Sequence, residues 1–280
     1  MTRYIETLYE HWKTSYLIKK ELLRKRTKFQ SMRILQTASC GRMLVLDGIT
    51  QACELDEYVY HEMLAHLPML AHGNCKRVLI IGGGDGGILR EVLRHPVERV
   101  VMVELDEEVV LACKKYLPTL SAGAFDDPRA ELIFDDGAKY VRKTPEKFDA
   151  VIVDSPDPIG PAKVLFATRF YKDVLRVLAP RGVAVRQAGV PSLQGEELTY
   201  TVQRMKSVFP YTGVYLAPVP TYVGGFFSFV MGARTAGAFR VSGKRLEERF
   251  KKAGLKTRYY NAEIHRACFA LPNFVKELVK

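Results

Sequence analysis

Long apolar runs are missing from this chain. No stretch approaches the roughly 18 consecutive apolar residues that a membrane-spanning helix needs, which excludes a bundle of such helices. Cysteine is scarce and unpatterned. The five (Cys40, Cys53, Cys75, Cys113 and Cys268) are odd in number and form no C-x-x-C or Cys/His cluster. A disulfide framework and a structural zinc site are therefore not expected, and reduced thiols are. Internal repeats and low-complexity segments are absent. The first ten residues, Met1 to Glu10, mix charge and polarity and lack the apolar centre of a secretory leader, so a cytoplasmic location is the expectation. Acid is in short supply overall: 31 Asp and Glu against 42 Lys and Arg leave a net charge of +11. Such a balance invites a nucleic-acid or membrane partner, but the cations are spread out. The densest groups, Lys19 to Lys28 and Lys244 to Lys256, read as solvated faces, so neither partner is expected.

What is present centres on Lys76 to Leu93 (KRVLIIGGGDGGILREVL). An apolar, β-branched run of strand length breaks into five glycines around Asp85, then resumes with Ile88, Val92, Leu89 and Leu93 at helical i,i+4 spacing. Strand, glycine turn and helix make the first unit of a nucleotide-binding α/β sheet, because glycine permits a sharp turn and a close approach by a ligand. The next strand, Val100 to Val103, ends in Glu104, which stands 104 − 82 = 22 positions after the first glycine. An acid at that spacing suits a ribose hydroxyl pair. Asp85 inside the turn is awkward for a pyrophosphate and natural for a cation such as a sulfonium or an amine.

Around this unit, 280 residues allow one large domain, or one with a small extension. Residues 1–55 read as a β-rich N-terminal domain or oligomer-forming extension, with strands at Phe29 to Leu35 and Arg42 to Leu46 and a hairpin turn at Asp47-Gly48. Residues 56–280 read as the Rossmann-like domain. Its first helix opens at Asp56-Glu57, with Asp56 as N-cap and Tyr60, Met63, Leu64 and Leu67 on one face; Pro68 lies near its end. Further strands are expected at Glu131 to Phe134, Phe148 to Val153 and Gly182 to Arg186, with helices at Asp106 to Tyr116, Thr168 to Leu178 and Glu196 to Ser207. Two closing antiparallel strands follow at Tyr211 to Leu216 and Phe226 to Gly232, and then a short helix and a packed tail. This alternation places Asp85, Glu104, Asp136, Asp154 and Gln187 just beyond the C-terminal ends of successive strands, the rim where open parallel sheets bind ligands. Four acids crowded there repel one another and raise one another's pKa, a strain that a bound polycation relieves.

The second informative stretch is Asp154 to Ala162 (DSPDPIGPA). Three prolines and a glycine stiffen a loop that holds Asp154 and Asp157 over the rim. One carboxylate can accept a proton while the other grips a cationic end.

With these residues in view, the chain resembles the spermidine synthases, or polyamine aminopropyltransferases, of the bacterial type. The matching stretches are GRMLVLDG (Gly41 to Gly48), DEYVYHEM (Asp56 to Met63), VLIIGGGDGG (Val78 to Gly87), VELD (Val103 to Asp106), DDG (Asp135 to Gly137), DSPDPIGPA, PTYVGG (Pro220 to Gly225) and RYYNAEIHRACFALP (Arg258 to Pro272). The resemblance runs nearly end to end. It implies a methyltransferase-type sheet with a small N-terminal β domain, in a homodimer or homotetramer. It implies decarboxylated S-adenosylmethionine as co-substrate, with no prosthetic group and no metal, and a diamine acceptor, usually putrescine. The products would be spermidine and 5′-methylthioadenosine. By motif position, Gln30 and the Asp85 turn would contact the donor, Glu104 would bind its ribose, Asp136 and Gly137 would face the adenine, and Pro161 would pack near it. Asp154 would be the general base. Tyr60, His61, Asp85, Asp154, Asp157, Gln187 and Tyr222 would line the amine channel.

The chemistry is consistent with that assignment. Donor and acceptor are both cationic, and the attacking ammonium, with a pKa of about 10, must lose a proton before its lone pair can displace at carbon. Three departures from the family pattern bear on the acceptor: Pro156 where Ser or Thr is usual, Lys163 where Glu is common, and Ala188-Gly189-Val190 where some relatives carry an acid. They leave cadaverine, agmatine or spermidine open as acceptors. A methyltransferase using ordinary S-adenosylmethionine is the competing enzyme reading, although the loop acids would repel that donor's carboxylate. A basic nucleic-acid module and a nicotinamide dehydrogenase fit less well. Bland roles also exist: Tyr60 and Tyr222 as core, His61 as a surface histidine, Gln30 as a plain strand residue.

Overall fold

The computed structural model describes residues 2–156 and 160–280, without the side chain of Pro161. The chain first builds an antiparallel sheet whose strands lie side by side in sequence order: β1 (Thr2–Ile5), β2 (Ser15–Arg26), β3 (Ser31–Thr37), β4 (Arg42–Leu46) and β5 (Ile49–Cys53). Asp47 and Gly48, both at positive φ (47° and 79°), make the tight β4–β5 turn, the backbone state that an Asp-Gly hairpin favours. Met32, Ile34, Leu44, Leu46 and Ala52 form one apolar face.

The second sheet has seven strands in the order β11-β12-β10-β9-β6-β7-β8. The chain makes it as α1 (Glu57–His72), β6 (Arg77–Gly82), α2 (Gly87–Leu93), β7 (Arg99–Glu104), α3 (Glu107–Tyr116), the one-turn α4 (Pro118–Ser121), β8 (Ala130–Phe134), α5 (Gly137–Lys143), β9 (Phe148–Asp154), α6 (Thr168–Val177), β10 (Leu178–Gln187), α7 (Gly195–Lys206), β11 (Tyr211–Pro218) and β12 (Phe226–Ala233). Strands β6 to β10 are mutually parallel, while β12 runs antiparallel to both β10 and β11. This is the Rossmann-like, methyltransferase-type α/β architecture with a β-rich N-terminal sheet.

Alternation along the strands explains the two layers. Val78 and Ile80 of β6 join Met63, Leu64 and Leu67 of α1 and Ile88 and Val92 of α2 in one core. Their neighbours Leu79 and Ile81 join Val141, Phe170, Val174 and Val202, from α5, α6 and α7, in the other. A central parallel strand is buried on both faces, so its apolar run is unbroken. The first sheet meets this body through α3, whose Val109 and Cys113 pack on Ile34 and Leu44.

Local differences from the sequence reading have physical causes. Asp56 occupies the N-cap of α1 without a capping hydrogen bond. Its carboxylate instead accepts from the Thr221 amide and hydroxyl, each at 2.6 Å, tying α1 to the loop after β11. Pro68 sits inside α1, which continues to His72 with its wall of buried apolar residues. The tail is not one short helix but three, α8 (Gly243–Lys252), α9 (Ala262–Ala267) and α10 (Asn273–Leu278). All five cysteines are free. Among the described residues no helix is long and apolar enough to cross a membrane.

Candidate active site

The C-terminal ends of β6, β7, β9 and β10 open on a cavity of about 310 Å³ that reaches across to the first sheet. The glycine turn forms its floor. Gly82 has φ +84°, and a Cβ there would stand 1.9 Å from the Asp154 carbonyl oxygen. Only glycine lets β6 and β9 end this close together. The Gly83 amide then donates to that carbonyl at 3.0 Å, fixing the turn against the strand that carries Asp154.

Asp154 projects into the cavity, where the Tyr60 hydroxyl donates to its Oδ1 at 2.5 Å. Burial first, and then the nearby Asp85 charge, push the Asp154 carboxyl up to about 6, against the pull of His61 and Tyr60. Burial also keeps the Tyr60 hydroxyl protonated, far above the usual phenol range. Tyr60 packs edge-on to Tyr222 and Phe227, with ring centres 5.7 and 5.5 Å away. One wall of the cavity is thus aromatic and the other is acidic.

Asp85 behaves differently. Its Oδ1 accepts from the Gly87 amide at 2.7 Å, and its Oδ2 lies 3.4 Å from His61 Nε2. His61 Nδ1 is 2.5 Å from Glu57, so both ring nitrogens face carboxylates. Burial opposes a charge on this imidazole, but Asp85 and Glu57 prevail and hold His61 up at about 10. Burial alone would raise Asp85 too; the His61 cation, the Gly87 amide and Arg90 keep it below the ordinary carboxylate range. Charged Asp85 and partly protonated Asp154 therefore share one rim.

Glu104 ends β7 and accepts from the Asp106 amide at 3.0 Å. Burial pushes it up to about 7, the amides of Asp106 and Leu105 opposing. Gln30 reaches over from the first sheet and donates to Asp106 at 2.9 Å. Asp136 caps α5 by accepting from the Ala138 and Lys139 amides, with Gly137 tight against Ile81 beside it. Gln187 ends β10; its amide donates to the Ser155 carbonyl and accepts from the Gly189 amide, both at 2.9 Å, bracing the two loops. The Tyr222 hydroxyl donates to the Gln51 carbonyl of β5.

Of the residues singled out from sequence, Gln30, Tyr60, Asp85, Glu104, Asp136, Gly137, Asp154, Gln187 and Tyr222 all line this one cavity. His61 does not. It is buried behind Asp85, because its two carboxylate neighbours draw the ring inward. It is no surface histidine either. Asp157 lies outside the described residues, as does the Pro161 side chain. Sequence reading missed the far wall. Glu6, Tyr9, Gln51 and Gln194 line the cavity there; the Glu6 carboxylate accepts from the Thr50 amide at 2.8 Å, and the Tyr9 hydroxyl donates to Gln194 at 2.9 Å. No motif or spacing marks them, since the segment after β1 and the residue that precedes α7 meet only in the folded chain. No group of His, Cys, Asp and Glu among the described residues has the arrangement of a metal site.

A sheet of this strand order, parallel from β6 to β10, with a glycine turn, a ribose-spaced acid and an acidic, aromatic-walled cavity, defines a Rossmann-like enzyme that receives a nucleoside-bearing cation. The chain belongs to the spermine/spermidine synthase family: the model of the spermine/spermidine synthase domain matches residues 57–240, and that of the spermidine synthase tetramerisation domain matches residues 4–54. It is 48% identical over 280 residues to polyamine aminopropyltransferase 1 of Pseudomonas aeruginosa, covering 100% of this chain and 98% of the relative. Identity to the polyamine aminopropyltransferase of a Ruegeria species is 48% over 274 residues, covering 98% and 96%. Among solved structures, a spermidine synthase in complex with the transition-state analogue AdoDATO superposes with a TM-score of 0.94 at 39% identity, covering 99% of this chain and 94% of the other. The spermidine synthase of Thermotoga maritima gives 0.93 at 39% identity, covering 100% and 94%.

Proposed function

We propose that this enzyme transfers the aminopropyl group of decarboxylated S-adenosylmethionine to putrescine, giving spermidine and 5′-methylthioadenosine. The observation that carries the reading is Asp154: a carboxylate raised toward neutrality, held by Tyr60, facing an aromatic wall in a cavity ringed by further acids. Glu104 suits the donor's ribose hydroxyls as a paired acceptor. Asp136, Gly137 and Pro161 suit the adenine, with Gln30 closing the donor side. Asp85, kept charged by His61, suits the sulfonium and the aminopropyl ammonium. Tyr60, Gln187, Tyr222 and Asp157 suit the diamine, and His61 acts on it through Asp85.

In this mechanism the diamine enters as a dication and loses water to the aromatic wall. Asp154 takes one proton from the attacking nitrogen. The freed lone pair attacks the methylene beside sulfur, the new C–N bond forms as the C–S bond breaks, and the bonding pair returns to sulfur. Methylthioadenosine leaves neutral. Alignment of the two substrates in one enclosed cavity supplies much of the acceleration.

The division into a strand domain of residues 1–55 and a catalytic domain of residues 56–280 is part of the proposal; β5 ending at Cys53 and α1 starting at Glu57 support it. So is a homodimer or homotetramer, supported by the tetramerisation-domain match and by Ile5, Trp12 and Leu17, whose apolar side chains are exposed on the N-terminal segment. A cytoplasmic location completes it, in keeping with five unbridged thiols.

The test offers each donor, decarboxylated or ordinary S-adenosylmethionine, with putrescine, cadaverine, agmatine or spermidine, and detects methylthioadenosine and the new polyamine. Spermidine formed from putrescine and the decarboxylated donor is the expected result. Methyl transfer, or methylthioadenosine release that does not depend on an amine, would overturn it.

A further inference from the structure

A second concavity lies at the opposite edge of the large sheet. Arg181 stands near the beginning of β10, whose other end carries Gln187 at the catalytic rim. Around it gather His72 from the end of α1, Arg240 after the 3₁₀ turn Ala236–Phe239, and Arg245 and Arg249 from successive turns of α8. Together with the hydroxyl residues Thr235 and Ser242 they line about 280 Å³, and no lining residue is shared with the catalytic cavity.

The charge here is one-sided. Four arginines and a histidine line the basin and no Asp or Glu does. Among the described residues, the guanidinium groups of Arg181, Arg240 and Arg245 form no ion pair and no hydrogen bond. Arg249 is half-buried and donates to the Leu70 and Ala71 carbonyls at the end of α1, so it cannot swing away from the cluster. Asp149 lies 3.9 Å from His72 Nε2 but is already engaged by the Lys76 and Arg77 amides at 2.7 and 3.0 Å, and Glu247 and Glu248 of α8 neither line the basin nor pair with its arginines. Like charges held together without counter-ions cost free energy that a bound anion returns.

We propose that this basin binds a compact polyanion, a di- or triphosphate group, at a site separate from the catalytic cavity. Its concavity, and a volume just under the about 300–1,000 Å³ usual for small-ligand sites, fit a compact small molecule better than the flat track of a nucleic-acid backbone. Guanidinium forks from three directions match the several oxygens of such a group. The crowding is felt by the residues themselves. Burial, and then Arg245 and Arg181, lower Arg249 from its ordinary value; burial, Arg181 and Arg249 lower His72 against the opposing Asp149. The site also absorbs part of the +11 charge that the aminopropyl reaction leaves without a role.

Calorimetric titration of the full chain with inorganic pyrophosphate and tripolyphosphate, at physiological salt, tests this. Saturable binding of one anion per chain is expected. The pair Arg240→Gln and Arg245→Gln, both on exposed side chains, should weaken it at least tenfold while aminopropyl transfer without anion stays within twofold. Lys19→Gln with Lys20→Gln, which removes the same charge from β2, should leave binding unchanged. The proposal is overturned by absence of saturable binding, by equal loss in the lysine pair, or by orthophosphate binding as tightly as pyrophosphate. It is also overturned if a short duplex RNA binds through the same arginines and pyrophosphate fails to compete with it.

Discussion

Replacing Asp154 with asparagine isolates the proton-accepting step. The substitution keeps shape and leaves an oxygen for the Tyr60 hydroxyl, which now donates to Asp154 at 2.5 Å. It removes the basic lone pair and one negative charge. A positioned general base contributes about 10²–10⁴-fold, so kcat should fall by that factor, equivalent to about 3–5 kcal/mol of barrier. Donor affinity should change by no more than a few-fold, because the contacts proposed for the donor lie on Glu104, Asp136 and the Asp85 turn. The wild-type kcat/KM should fall as pH drops through about 6, where Asp154 takes up a proton, and that limb should vanish in the variant. Stability should move the other way. A carboxyl raised from 3.8 to about 6 by the fold contributes stability that is complete below its unfolded pKa and lost as pH rises through its folded one. At pH 8 wild-type Asp154 is therefore destabilising, by at most about 3 kcal/mol for a shift of about two units. The asparagine variant should melt higher than wild type at pH 8 and no higher at pH 4. Stopped assays of methylthioadenosine, equilibrium binding of the donor and melting curves at both pH values measure all three. Turnover within threefold of wild type, with its acid limb intact, would remove Asp154 from the role of base.

Three further outcomes follow from the same geometry. Tyr60→Phe removes a hydrogen bond that favours the ionised form of Asp154, so the acid limb of kcat/KM should move to higher pH and kcat should fall about tenfold or more; pH–rate profiles check both. Glu6 lines the far wall of the cavity and is proposed to meet the diamine's distal ammonium, so Glu6→Gln should raise KM for the diamine about tenfold, as expected for losing one charge-assisted contact, with KM for the donor unchanged; initial-rate kinetics with each substrate varied decides it. His61 is raised from 6.5 to about 10, so its contribution to stability is whole below pH 6.5 and lost as pH rises through about 10. Melting temperature of the wild type should fall over that window, and His61→Gln should flatten the decline while lowering stability at pH 7.

The parts of this molecule that sequence made legible are those built from local rules. The β6 run and its glycine turn announce themselves because a strand buried on both faces is continuously apolar and because Gly82 has no room for a Cβ. The acids at the ends of β6, β7 and β9 could be brought to one rim on paper, since parallel strands all finish on the same side. The first sheet was harder to read. Strand β2 is long and largely exposed, its register to β3 shifts twice, and its pattern carries no clean alternation. Glu6 and Gln194 stand 194 − 6 = 188 positions apart in the chain, and only packing joins them across one cavity. His61 stands off the cavity for an electrostatic reason: the family resemblance implied a place on the channel, but two buried carboxylates claim both nitrogens. The tail's helices were legible only at their starts, where Ser242 caps α8 and Asn261 caps α9; α10 has no side-chain cap.

The Tyr222–Gln51 hydrogen bond has a consequence for how such an enzyme can diversify. It marks the seam where the large sheet hands the cavity over to the small one. On one side stand Asp154, Tyr60 and the glycine turn; on the other are Glu6 and Tyr9, in the segment after β1, and Gln51 of β5, none of them part of that turn. Changes confined to the small sheet can thus reshape or recharge the far wall of the cavity while Asp154 and Tyr60 stay untouched. Under the proposed function, selection for a new amine would have that wall to act on without disturbing Asp154.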